Sequence, residues 1–281
     1  MSWVDLSRDA KGNMSLSLRG SWSPEVEQAL TNSSWDVLSI LGVDWPDYRC
    51  LVPFAEKIVW LRVPFGPDSS RGLEQLTFLQ RLELTDLPSP AVDFRSLPRL
   101  RWLEAIWDKK YPANLGNPNV ETLVAHAVGG QDLAWIPAAS KLRVLHVRGG
   151  RVLSLAGVDR ASSLSELHAT ELKQCQSVGG VSSLRGLVEL EIDAPNATVE
   201  GLNWLAGMPS LSRVVLTARA KEIDWKALAA NRELNSIAVV AEAGYSISNE
   251  QIEKAITEAG RTLVSLKRYE SRAPGFALEI A

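Results

Sequence analysis

From about residue 38 to residue 268 the apolar residues keep one short pattern. An apolar residue is followed by two free positions, a second apolar residue, one free position and a third. Leu142/Leu145/Val147 is the plainest copy. The others are Leu38/Leu41/Val43, Ile58/Leu61/Val63, Leu79/Leu82/Leu84, Leu100/Leu103/Ala105, Val120/Leu123/Ala125, Leu164/Leu167/Ala169, Leu187/Leu190/Ile192, Leu211/Val214/Leu216, Leu234/Ile237/Val239 and Leu263/Leu266/Arg268. The middle residue advances by 20 to 24 positions from copy to copy, with a last step of 29. Side chains alternate along a strand, so the second and third apolar residues share one side of a short strand and the free positions project from the other. One such unit cannot bury its apolar side; a row of them can, each covering the next.

Eleven copies of L-x-x-L-x-L near a 22-residue period resemble the leucine-rich repeat family over residues 38–268. The resemblance implies an α/β solenoid, with a curved parallel β-sheet on the concave face and short helices or irregular turns on the convex face. It also implies a binding role rather than catalysis. Many members carry Asn or Cys just after the strand. Here those places hold Leu87, Gly150, Leu172, Pro195 and Arg219, so the chain resembles a divergent, bacterial-type set of repeats without the Asn ladder.

The remaining sequence divides as an N-terminal cap over 1–34, the solenoid over 35–240, and a last repeat with insertion and cap over 241–281. Trp3–Leu6 and Met14–Leu18 alternate apolar and polar around a turn at 9–13, which predicts a β-hairpin. Ser23-Pro24-Glu25 predicts a helix through about Leu30, with Ser as N-cap and Pro at its first position. Ser248 and Gln251 have capping-box spacing, predicting a helix to about Ala259 that ends at Gly260. Leu133, Leu155, Leu202 and Trp225 lie twelve residues before the next middle residue, and Trp135 and Trp204 lie ten before it. That recurrence predicts packing on the convex side, with both tryptophans in the core.

Composition narrows the function. The formal net charge of −3 argues against generic nucleic-acid binding, which needs a basic stripe. No apolar run approaches a membrane span, and residues 1–9 contain no apolar leader core. Two cysteines far apart, Cys50 and Cys175, suit a reducing compartment. The expectation is a cytoplasmic protein, monomeric on its own, with no cofactor and no membrane partner.

Candidate chemistry collects on the free positions of the strands, which the resemblance places on the concave face. These rows begin with Ile40 and contain all three histidines, His126, His146 and His168. Beside them stand Glu166, Glu189, Glu191 and Asp193, with Arg148, and further up Arg62, Arg81, Glu83 and Glu104. Trp60 and Trp102 are aromatic anchors of the kind enriched at interfaces. His146, His168 and Glu191 share one row and have the residue types of a zinc site or an acid/base pair. No metal-ligand spacing, phosphate loop or nucleophile elbow accompanies them. The expectation is a non-enzymatic protein-binding module without catalytic or metal residues. Its partner would be another protein, with a toxin domain bearing a basic surface as the specific candidate, which would make the chain an immunity protein. The alternatives are a bacterial effector or regulatory scaffold and, third, a metal-dependent enzyme on the histidine row.

Overall fold

A computed structural model describes residues 3–67, 69–85, 92–107, 115–138, 141–199, 202–220, 222–241, 247–269 and 275–281. Leu87, one of the places where an Asn ladder would stand, lies outside them. The chain forms two compact units, Met1–His126 and Ala127–Ala281.

The first unit opens with the hairpin β1 (Trp3–Arg8) and β2 (Met14–Gly20), paired antiparallel. Its turn is closed by Asp9, whose carboxylate accepts from the backbone N–H groups of Lys11 and Asn13. Helix α1 (Pro24–Asn32) follows, with the Ser23 hydroxyl accepting from the Val26 N–H. Then come β3 (Val37–Val43), β4 (Trp60–Phe65), β5 (Arg81–Leu84), β6 (Trp102–Ile106) and β7 (Thr122–Val128), whose last two residues open the second unit. From β2 to β7 every pairing is parallel and each strand neighbours the next in sequence. The register puts Leu61, Leu82, Leu103 and Leu123 in one line. All four are at most 3% exposed, as are the flanking apolar residues of their copies, so the repeat residues are the core.

The second unit contains β8 (Val144–Gly150), β9 (Glu166–Thr170), β10 (Glu189–Val199), β11 (Arg213–Ala220) and β12 (Ser236–Ala241), parallel and in sequence order. Two short helices, α2 (Asn203–Ala206) and α3 (Trp225–Ala230), return the chain between strands. The insertion is α4 (Asn249–Glu258), with both hydrogen bonds of the Ser248–Gln251 capping box formed. It leads to β13 (Leu263–Tyr269) and β14 (Gly275–Ile280).

Three expectations change. The first copy is out of phase: Leu38, not Leu41, pairs with Leu61, and Ile40 is fully buried rather than outward. Leu16 and Leu18 pair with Leu38 and Ile40 and are equally buried, so β2 belongs to the hairpin and to the ladder at once. At the other end, β14 inserts between β12 and β13 and pairs antiparallel with both, so the eleventh copy is a closing strand rather than a stacked repeat. Lastly, Leu133, Leu155, Leu202 and Trp225 are buried as expected, whereas Trp135 and Trp204 are only half-buried.

The connectors explain how the repeats turn without an Asn ladder. Short 3₁₀ turns at Leu73–Gln75, Val158–Arg160 and Val181–Ser183 are each entered through a glycine in the left-handed region, Gly72, Gly157 and Gly180. A β-carbon on Gly157 would stand 2.6 Å from the Ala134 backbone nitrogen of the preceding repeat, so the close approach also requires glycine. Asn117 and Asn231 do related work from the interior. Asn117 donates to the carbonyls of Phe94 and Leu97, and Asn231 to those of Leu205 and Met208, tying each repeat to the one before.

Candidate partner-binding face

The outward face of the first unit is built from rows that cross β4 to β7. Trp60, Arg81, Trp102 and Thr122 occupy one register position on four consecutive strands. The Arg81 guanidinium carbon lies 4.1 Å from the Trp60 ring centroid and 4.0 Å from that of Trp102. A cation held between two indole faces is attracted by both ring quadrupoles. The adjacent row is Arg62, Glu83, Glu104 and Val124. Glu83 accepts from Trp60 Nε1 at 2.9 Å, Arg62 Nε at 2.7 Å and Arg81 Nε at 3.0 Å. Its side chain is 11% exposed, against 46% and 35% for the two arginines. One step further, His126 Nε2 and Glu104 Oε1 are 2.7 Å apart.

This arrangement was only partly foreseeable. Trp60 and Trp102 are bridged through Arg81 instead of standing as separate anchors. The signal was present, because an Arg at the same repeat position as the flanking tryptophans must fall between them once strands are 4.8 Å apart. Glu83 is the pin of the cluster rather than a free surface carboxylate.

The second unit presents a different surface. Val144, Glu166, Glu189 and Arg213 form one row, and His146, His168, Glu191 and Val215 the next. Glu166 and Glu189 are direct neighbours of like charge, an unfavourable pairing on a sheet. Arg213 approaches Glu189 to 3.7 Å and is itself more than half exposed. The His168 Nδ1 to Glu191 Oε2 distance is 2.9 Å, and the His146 and His168 rings lie 4.4 Å apart between centroids. Asp193 accepts from the Glu171 N–H at 3.4 Å, and Arg148 is exposed. The histidine row is therefore drawn into hydrogen bonding and ring contact. Among the described residues no group of three or more His, Cys, Asp or Glu is placed to hold a metal ion.

Of the sequence candidates, the structure brings Trp60, Arg62, Arg81, Glu83 and Trp102 into one contact cluster, pairs Glu104 with His126, and joins His146, His168 and Glu191. Among the described residues no helix is long and apolar enough to cross a membrane.

No family model matches the sequence, and no curated protein matches it. Solved structures do. An internalin C2 from Listeria monocytogenes is similar at 19% identity and a TM-score of 0.54, covering 68% of this chain and 83% of that one. The functional domain of InlJ from the same species gives 14% identity and a TM-score of 0.51, covering 82% of this chain and 57% of that one. An internalin inlF, also from that species, gives 16% identity and a TM-score of 0.49 over 73% of this chain, which spans 66% of its length. Identities this low speak to the fold. The repeat period, the parallel ladder within each unit and the likenesses to internalin C2 and InlJ make the fold that of a leucine-rich repeat solenoid.

Proposed function

We propose that the chain is a non-enzymatic binding module that docks another protein on the outward face of its strands. The observation that carries this reading is the ordered Trp60–Arg81–Trp102 stack pinned by Glu83. It lies on the face opposite the core, where folding does not require aromatic rings. Interface anchors are enriched in Trp and Arg, and rings already held in place lose little entropy on binding.

The partner is a protein with a basic surface. Glu166, Glu189, Glu191 and Asp193 gather on neighbouring strands of the second unit, and the net charge is −3. Complementary charge speeds encounter and selects among partners. A cytoplasmic toxin domain with a basic active surface fits that description, and neutralising one would make the chain an immunity protein; this narrower identity rests on analogy of fold class and charge.

The test is co-purification from the native source, comparing wild type with the double variant Trp102→Ala/Glu191→Arg. A stoichiometric protein partner held by wild type and lost from the variant is expected. A partner retained undiminished would sink the assignment to this face.

A further inference from the structure

We propose that Trp102, on the ring face turned away from Arg81, is a seat for an arginine side chain presented by the partner. The proposal rests on the docking reading above and specifies what the partner must bring.

The protein contains its own template for such a contact. Arg81 stacks on an indole at about 4 Å while its Nε donates to a carboxylate in the adjoining row. The ring recurs two strands beyond Trp60, with a carboxylate beside it on the ring's own strand. Trp102 supplies the ring. Glu104, two residues on and on the same side of β6, supplies the carboxylate; Glu83 stands instead on the strand of its cation, and the position on β7 equivalent to it is Val124. The register position that would carry the next cation belongs to Thr122 on β7. A threonine side chain is too short to cover an indole. Trp102 and Thr122 are both only half-buried, so each keeps solvent-accessible surface.

Charge favours the same guest. Glu83 is committed to three donors. Glu104 has one described contact, to His126, and a carboxylate offers about four lone-pair sites. Its side chain is 23% exposed. An incoming cation would thus meet a ring quadrupole and an under-used anion together. Arginine suits the seat better than lysine, because a planar guanidinium can stack on the ring and donate sideways to the carboxylate at the same time.

The probe for the test is N-acetylarginine amide, added to the whole ¹⁵N-labelled chain while the indole N–H resonances are followed. Trp102→Phe identifies the Trp102 signal by its loss. The Trp102 resonance is expected to move saturably with the arginine probe, and to move several-fold less with N-acetyllysine amide at equal concentration. Thr122→Arg puts a guanidinium into the slot from within and should weaken probe binding at least tenfold. Glu104→Gln, which leaves the ring untouched, should weaken it several-fold and serves if Thr122→Arg folds poorly. A Trp102 resonance that stays still, or that responds alike in wild type and both variants, overturns the seat. The two readings fail separately. A still resonance with partner capture still lost in Trp102→Ala/Glu191→Arg leaves the docking face standing without the seat. A saturable shift with partner capture unaffected by that double variant leaves the seat and removes the docking face.

Discussion

Glu83 shows how much one residue can organise on this fold. It gathers an indole N–H and two guanidinium groups from two neighbouring strands, and its own side chain is nearly buried while its arginine partners reach solvent. Hydrogen bonds to charged groups contribute roughly 1.5–3 kcal/mol where desolvated, and the exposure of both arginines pulls the value toward the lower end. Glu83→Gln keeps the shape and removes the charge. It should lower stability by about 2 kcal/mol, read as a lower urea midpoint at unchanged slope. It should also loosen Arg81 from the ring pair, visible in the indole resonances. The cysteines illustrate the opposite environment. Burial pushes the Cys50 thiol up to about 11 from 9.0, and the same cause raises that of the fully buried Cys175. The thiolate is the reactive form, so native Cys50 should alkylate on the order of 100-fold more slowly at pH 8 than an unperturbed thiol. Its rate should still climb about ninefold between pH 9 and pH 10. The linkage has a definite sign: the folded state holds this proton more tightly, so the contribution to stability is complete below pH 9 and is lost as pH rises from 9.0 to about 11. Mass-spectrometric alkylation rates at pH 8, 9 and 10 check both points, and a plateau by pH 9 would contradict them.

At the scale of the strand and its turn, the repeat was readable because it obeys two constraints at once, the alternation within a strand and the step between strands. The connectors were less readable. In three successive copies, at β7, β8 and β9, the residue two places after the third apolar residue of the repeat is left-handed: Ala127 at φ 54°, Gly149 at φ 63° and Glu171 at φ 59°. Only one of the three is glycine, so composition gives no sign that the three turns are the same. An L-residue in this region is strained by roughly 1–2 kcal/mol, partly offset by the lower entropy of its unfolded chain. Ala127→Gly should therefore stabilise the protein by about 1 kcal/mol, raising the melting temperature by roughly 2–4 °C. A fall in melting temperature would show that the alanine side chain contributes packing that outweighs the strain. The first copy was misphased for a related reason. Trp35/Leu38/Ile40 and Leu38/Leu41/Val43 both satisfy the spacing, and the pairing of β3 with β2 and β4 selects the former. Spacing is likewise blind to strand direction, which is why β13 reads as a repeat although β14 separates it from β12 and pairs with it antiparallel.

For the whole molecule, position in the repeat told which side chains face outward, except in the misphased first copy, but not which of them bind one another. Trp60, Arg62, Arg81, Glu83 and Trp102 were all legible as candidates, yet their mutual contacts depend on rotamers that no period encodes. That distinction separates two kinds of binding effect. Glu191 stands on an acidic surface of the second unit and Trp102 on an aromatic one of the first, and a docked basic protein should use them differently. Long-range charge acts during encounter, so Glu191→Arg should chiefly slow association, with the difference from wild type shrinking as salt shortens the screening length from about 10 Å at 0.1 M to about 3 Å at 1 M. A stacked, desolvated ring acts once the complex has formed, so Trp102→Ala should chiefly hasten dissociation. The loss should be about 2 kcal/mol, roughly thirtyfold in affinity, and nearly independent of salt. Surface plasmon resonance on the co-purified partner at two ionic strengths separates the cases. If both variants change only the dissociation rate, the acidic surface is part of the tight contact and steering is not its role. If neither changes either rate, the partner binds somewhere other than the outward rows.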